Sequence, residues 1–331
     1  MKRQLALGLA ISVLALWLSM KDVDFHKMLG AVARAQFVWL IPAMLFTLLG
    51  YLVRSYRWKF LLLSIKDIPV RDLFSSTIVG FFANVVLPAR LGEIIRPFLL
   101  GRRQGISKTA SFATIVVERV FDLSTLMACF GIVLIFYPHS FTPALRRIGI
   151  TMFGANLAAM VLLFLMQAHS EATLRAARRV VRPFPAGVGV KLVQFLDAFM
   201  DGLGAFRHGH HMARVILLSL AMWATIAMSV WCTQASLHMP LPLYASAVLV
   251  VVISVGIMAP SAPGYIGVMQ LACLAGLGIF KIDNVTALAF SWLYLFTQHV
   301  PVIAAGVVCM WRENLSFSDL THAGVEGKAT P

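Results

Sequence analysis

Eight apolar runs separated by short basic segments constrain this chain more than any other feature. They cover about Gln4–Met20, Trp39–Leu63, Leu73–Leu100, Thr109–Tyr137, Ile148–Gln167, Ala213–Ser236, Tyr244–Phe280 and Val285–Trp311. Crossing a hydrocarbon core about 30 Å thick takes a helix of roughly 17–25 residues. Backbone polar groups must pair internally in lipid, so long apolar runs of this kind read as helices. The expected fold class is an all-α integral membrane protein with about six to eight transmembrane helices. Composition agrees: the chain is 60% hydrophobic and 13% charged, against about 45–50% and about 25% in soluble domains. The net charge of +14 does not read as nucleic-acid binding, because the Lys and Arg residues lie mainly in loops between apolar runs, where they set topology.

With the N-terminus inside, nineteen Lys and Arg fall on inner segments and six on outer ones. That asymmetry predicts a multi-pass protein of a bacterial cytoplasmic (inner) membrane with both termini cytoplasmic. Met1-Lys2-Arg3 followed by an apolar core resembles a secretory signal. The sequence Trp17-Leu18-Ser19-Met20-Lys21 is no small-residue cleavage site, so the reading is an uncleaved first helix. Cys129, Cys232, Cys273 and Cys309 sit in apolar runs without metal-ligand spacing and read as small apolar residues.

Two runs are broken. Leu73–Leu100 is interrupted at Pro88 and Gly92 and has basic residues at both flanks, Lys66 and Arg71 before it and Arg102, Arg103 and Lys108 after it. A run with two basic flanks reads as re-entrant rather than spanning. Tyr244–Phe280 is interrupted by Ala259–Gly267, which holds Pro260, Pro263, Gly264 and Gly267. The expected organisation is a single membrane domain. Residues 1–38 form a first helix and an interfacial segment. Residues 39–137 form one repeat of span, broken hairpin and span. Residues 138–212 form a connecting helix and a basic amphipathic cytoplasmic region. Residues 213–311 repeat the first unit in inverted topology, and 312–331 form a cytoplasmic tail. Inverted units with matching broken segments point to a site near the bilayer midplane.

The stretch Ser75–Asp122 keeps six ionisable groups in apolar surroundings: Arg90, Glu93, Arg96, Glu118, Arg119 and Asp122. Each charge at a bilayer centre costs at least about 2.5–3.5 kcal/mol, so the stretch reads as the lining of a polar site. Asn84 belongs to the same lining. Arg90 and Arg96 suit bidentate phosphate binding with Glu93 orienting one of them; an ion-pair network holding the hairpin is the alternative. Glu118 and Asp122 share a helix face at i, i+4. They admit either proton exchange or pairing with Arg90 or Arg96. Pro88, Gly92, Pro260, Pro263, Gly264 and Gly267 read as hinges, with hydroxyls from Ser261 and Tyr265 near the second break. Pro97 reads as a bend. Arg54, Arg57 and Trp58 read as interfacial anchors, the triplet His208, His210 and His211 as interfacial rather than metal-binding, and Gln298 and His299 as core hydrogen-bonding residues. The sequence implies no catalytic residue, metal or cofactor.

Asn84-Val-Val-Leu-Pro88-Ala-Arg90-Leu-Gly92-Glu93-Ile-Ile-Arg96, followed by Glu118-Arg119-Val-Phe-Asp122, resembles the transmembrane domain of the lysylphosphatidylglycerol synthase family and its stand-alone, flippase-like relatives. Arg54–Trp58 and Pro260–Gly267 are similar to further signatures of that family, and the resemblance covers about Trp39–Trp311. It implies a lipid-translocating domain with re-entrant helices in inverted halves. The aminoacyl-transferase domain that follows in the synthases is not expected here, so the chain reads as a transporter rather than an enzyme. The expected function is translocation of a phospholipid or lipid-linked headgroup, anionic or zwitterionic. The alternative is a non-transporting subunit that presents lipid to a biosynthetic enzyme, docking it on the basic helix Arg175–Arg182.

Overall fold

The computed structural model describes residues 2–21, 23–87, 90–136, 143–181, 186–203, 209–259 and 261–320. Among these residues all regular structure is helical. The first half contains α1 (Lys2–Met20), α2 (Phe25–Ala33), α3 (Leu40–Leu62), α4 (Val70–Val86), α5 (Gly92–Gln104) and α6 (Lys108–Phe136). Then come α7 (Pro143–Ala168), α8 (Ser170–Val181) and α9 (Ala186–Gly202). The last group is α10 (Gly209–Ser236), α11 (Leu243–Gly256), α12 (Val268–Gly278) and α13 (Asn284–Arg312).

Four stretches among the described residues are long and apolar enough to cross a membrane: Phe37–Leu62, Gly149–Ala168, His211–Ser236 and Asn284–Arg312. Helix α6 is also 29 residues long but carries Glu118, Arg119 and Asp122 near its middle. Large apolar side chains face outward, including Leu45, Leu49, Phe164 and Val308, while Arg57, Arg96 and Glu118 are buried. An apolar exterior over a charged interior is the arrangement that lipid selects. The chain is an all-α, multi-pass membrane protein.

Helices α3 and α10 form the most extensive interface. Around them the same pairings recur in the two halves. Helix α3 packs on α4, α6 and α13, and α10 packs on α11, α13 and α6. Helix α4 packs on α5 and α13, and α11 on α12 and α6. Helix α5 lies on α6 and α12 on α13, while α2 lies on α13 and α9 on α6.

The broken runs become pairs of short helices. At 1.5 Å per residue α4 and α5 are about 26 and 20 Å long, and α11 and α12 about 21 and 17 Å. None matches a hydrocarbon core of about 30 Å. In the first pair the chain re-enters helix at Gly92, whose amide donates to the Asn84 side-chain oxygen at 2.8 Å. A methyl group on Gly92 would overlap the Gly80 carbonyl oxygen, so this crossing of α4 and α5 requires glycine. Pro97 lies inside α5 and does not end it. Its ring leaves the Glu93 carbonyl without its helical amide partner, yet the helix runs on to Gln104. Helix α5 ends instead at Gly105, with φ 65°.

The second break is a 3₁₀ turn, Pro263–Tyr265, followed by Gly267 at φ 90°, where α12 begins. Helix α1 lies against it: the Ala262 amide donates to Ser12 Oγ at 2.8 Å, and a methyl on Gly267 would overlap the Ser12 carbonyl. A helix does follow α1: α2 is capped by Asp24, which accepts from the His26 and Lys27 amides. It packs on α13 through Met28, Ala31 and Val32, whereas Leu29 points outward. Beyond α13, Leu320 is fully buried against Leu87, Leu91 and Phe98, and Glu313 pairs with Arg103. The last described residues thus lie across the first hairpin.

Candidate functional site

Helix α6 supplies the centre of the site. Glu118 and Asp122 lie one turn apart, 0% and 6% exposed. Arg54 from α3 bridges them, with Nη1 2.6 Å from Glu118 Oε1 and 2.9 Å from Asp122 Oδ2. Arg57, one turn further along α3, sits 2.7 Å from Asp122 Oδ1 and 3.5 Å from Glu118 Oε1, and donates to Ser219 Oγ on α10. Arg96 from α5 donates to Glu118 Oε1 at 3.0 Å and lies flat on the Trp58 ring, 3.8 Å from its centroid. The Trp58 indole is held by Thr114 at 2.8 Å. Arg119 is more open, 3.5–3.9 Å from Asp122, Glu118 and Glu93. Four guanidinium groups therefore surround three carboxylates, and Arg90 on the adjoining cavity wall brings the excess to two positive charges.

Beside this cluster is a cavity of about 660 Å³, within the size range of sites that hold small ligands. Arg54, Asp122, Arg90, Glu93 and Arg119 form its charged wall. Arg90 has no ion-pair partner among the described residues. Its guanidinium stands over the Tyr265 ring, 5.4 Å from the centroid, and its Nη2 is enclosed without a hydrogen-bond partner. The first and second broken segments thus meet at Arg90 and Tyr265. Unpartnered buried donors also remain on Arg57, Arg96 and Arg119. Gln298 and His299 of α13 also line the cavity, together with Tyr294, Trp223 and Met269.

The structure sorts the expected site residues into two groups. Arg90, Glu93 and Arg119 face the cavity. Arg96 is buried behind it, paired with Glu118 and stacked on Trp58. Asn84 reaches the cavity wall, but its oxygen is committed to Gly92. Of the glycines expected as hinges, Gly92 and Gly267 mark close backbone approaches, and Gly264 (φ 70°) sits in the turn at the cavity edge. Pro263 opens that turn. Pro88 and Pro260 lie outside the described residues, as does His208.

One reading is corrected. Arg54, Arg57 and Trp58 are not interfacial residues: they are 7%, 0% and 0% exposed and form the core of the charged cluster. Carboxylates on a neighbouring helix offset the desolvation that would otherwise drive those arginines outward. The sequence held a signal for this: Thr47, Gly50, Arg54 and Arg57 recur at three- and four-residue spacing and place small or polar groups on one face of an apolar helix. The described residues contain no group of three His, Cys, Asp or Glu able to hold a metal ion.

A multi-pass helical membrane fold that encloses an arginine-rich cavity defines the class of protein. Residues 5–306 match the family model for the lysylphosphatidylglycerol synthase TM region, and the chain belongs to that family. Among its relatives is glycosyltransferase AglD of Haloferax volcanii, 25% identical over 359 residues. That match covers 96% of this chain and 56% of the relative, so the chain spans about half the length of AglD. A UPF0104 membrane protein of Methanocaldococcus jannaschii is 20% identical over 314 residues, covering 91% of this chain and 93% of its own. A second UPF0104 protein of the same organism is 24% identical over 230 residues, covering 70% and 93%.

Proposed function

We propose that this protein translocates a phosphate-bearing lipid headgroup across a bacterial cytoplasmic membrane, through the cavity beside α6, while the acyl chains stay in lipid. The observation that carries this reading is Arg90. It is a cation on the cavity wall with no ion pair among the described residues and with an unpartnered donor, and it raises the excess of the neighbouring cluster from one positive charge to two. A half-buried guanidinium in that state is stabilised by an incoming phosphate, which it binds through paired N–H groups. Arg119 is the second phosphate ligand, and Glu93, 3.9 Å away, orients it. Glu118 and Asp122 hold the remaining arginines in place. Lipid chemistry also agrees with the family to which the chain belongs.

The same proposal assigns α4–α5 and α11–α12 as re-entrant hairpins of two inverted repeats, residues 39–137 and 213–311, with both termini cytoplasmic. The recurrence of helix pairings in the two halves and the shortness of the four hairpin helices support it. Midplane sites between such repeats serve alternating access.

The test is a proteoliposome assay with a headgroup-labelled anionic phospholipid. Arg90→Ala and Glu93→Gln should each slow translocation at least tenfold at equal protein level. If both variants move lipid at the parental rate, the cavity is not the route.

A second reading is that the chain presents lipid to a partner enzyme. Arg175, Arg178 and Arg179 are exposed on α8 and could dock such a partner. Stoichiometric co-purification of an enzyme, with no translocation by the pure protein, would favour it.

A further inference from the structure

We infer that Gln298 and His299 of the cavity lining form a subsite for hydroxyl groups, and that the headgroup taken by this cavity is a phosphate carrying an uncharged polyol or sugar. The inference rests on the translocation reading above and specifies its substrate class.

It starts from the hydrogen bonds of α13. Gln298 meets two hydroxyls, with its amide nitrogen 2.9 Å from Thr47 Oγ1 and 3.1 Å from Ser229 Oγ. Thr47 and Ser229 each direct their single proton to the Ala43 carbonyl, at 3.0 and 2.9 Å. In this arrangement the two hydroxyl oxygens, which also lie 3.2 Å from each other, accept from the NH₂ end of Gln298, and Oε1 remains an acceptor.

The neighbouring residue reaches the same state by another route. His299 Nδ1 lies 2.8 Å from the Leu295 carbonyl. A carbonyl only accepts, so Nδ1 carries the proton and Nε2 of the neutral ring is an acceptor. Both residues line the cavity, and neither Gln298 Oε1 nor His299 Nε2 has a hydrogen-bond partner among the described residues. The turn that separates Arg90 from His299 is narrow. Arg90 stacks on Tyr265, and a methyl built on Gly264 would lie 3.6 Å from His299 Nε2.

The cavity lining thus combines guanidinium donors with two neutral acceptors. The ligand that complements it is an anion with hydrogen-bond donors attached. A hydroxyl or an ammonium would meet the acceptors equally well, and the charge balance decides between them. Two excess positive charges surround the site, so a single phosphodiester still leaves one. An ammonium would add to it in a medium that screens charge poorly. A hydroxyl adds none.

The experiment is native mass spectrometry of the purified protein after equilibration with equimolar lipids of matched acyl chains. The lipids are phosphatidylglycerol, phosphatidylinositol, phosphatidylmethanol and phosphatidylethanolamine. The first three carry the same phosphodiester charge, and only the first two carry free hydroxyls. Retention of either hydroxylated lipid should exceed that of phosphatidylmethanol by about three- to tenfold, the effect of one net hydrogen bond or slightly more. The better retained of the two separates a glycerol from a cyclic polyol. In His299→Phe and Gln298→Leu that ratio should fall toward one.

Equal retention of phosphatidylglycerol, phosphatidylinositol and phosphatidylmethanol by the unmodified protein overturns the inference without reference to any variant. So does preferential retention of phosphatidylethanolamine. If hydroxyls make no difference but Arg90→Gln with Arg119→Gln lowers retention of all three anionic lipids, the phosphate site stands and the hydroxyl subsite fails. If that double variant retains lipid like the parent, the translocation reading itself fails.

Discussion

Replacing Glu118 by glutamine should be the most damaging single change in the charged cluster, more so than removing any one of its arginines. Glu118 is fully buried and accepts from Arg54 and Arg96, with Arg57 and Arg119 at 3.5 and 3.7 Å. Arg96 is 2% exposed and has Glu118 as its ion-pair partner. Removing the carboxylate charge leaves Arg96 buried without compensation and raises the excess positive charge from two to three. Breaking a buried pair from one side costs about 3–5 kcal/mol. Arg96→Met has a different balance. It leaves Glu118 with three cations and reduces the excess charge, while losing a stacked cation–π contact worth about 1–2 kcal/mol when desolvated. The expected order is therefore Glu118→Gln worse than Arg96→Met. The double variant should be closer to Arg96→Met than to the sum of the two, because it strands no charge on Arg96. A thermal unfolding scan in detergent reads this directly. At about 2 °C per kcal/mol, the low end of the range for large domains, Glu118→Gln should lower Tm by roughly 6–10 °C and Arg96→Met by roughly 2–4 °C. If Arg96→Met proves the more destabilising, or if the two losses simply add, Glu118 is not the hub described here.

Other outcomes follow from single contacts. Gly92→Ala forces a methyl into the Gly80 carbonyl and the Asn84 oxygen. It should destabilise by about 1–3 kcal/mol or more, while Gly154→Ala, with nothing within 4 Å of the new methyl, should show no loss in the same scan. Leu320→Ala removes a fully buried side chain from the cluster on the first hairpin and should cost about 2–5 kcal/mol; a surface-like effect below 0.5 kcal/mol would contradict that packing. Asp283 caps α13 by accepting from the Thr286 amide at 3.0 Å. Partial burial is the largest single influence and works to raise its pKa, but the hydrogen bonds from Thr286 and from the neighbouring amides together outweigh it and hold the carboxyl below the usual carboxylate range. The cap should therefore be fully effective above the ordinary carboxylate pKa and fade as pH falls through the lower folded value. Asp283→Ala should cost about 1 kcal/mol at neutral pH, and the difference in Tm from the parent should shrink only in strong acid.

The charged stretch between Ser75 and Asp122 was legible because ionised groups are rare among apolar residues, and so was the break at Gly92. What could not be read was which arginine does what. Arg90 and Arg96 lie on the same hairpin six positions apart. The ring of Trp58 and the carboxylate of Glu118 come from other helices and turn Arg96 into a structural residue, and no local pattern predicts that. Arg54 and Arg57 were misread for a related reason. They precede Lys59 near the end of an apolar run, where long basic side chains commonly reach for the headgroups, and hydropathy does not distinguish that from burial against a partner. The orientation of Gln298 depends on hydroxyls from α3 and α10, so a single-helix reading stops at "core hydrogen bond". Pro97 shows the reverse: a local signal for a bend does not end α5, which runs on to Gln104.

The two hairpin tips meet through residues whose backbones are both left-handed, Arg90 at φ 52° and Tyr265 at φ 58°. For residues with a side chain that conformation costs about 1–2 kcal/mol each. The stacked contact between them returns about 0.5–2 kcal/mol. The junction therefore sits near thermal balance, unlike the arginine–carboxylate lattice behind it, which is held by several kcal/mol. The Arg90–Tyr265 contact thus adds little net stability where the two broken segments meet.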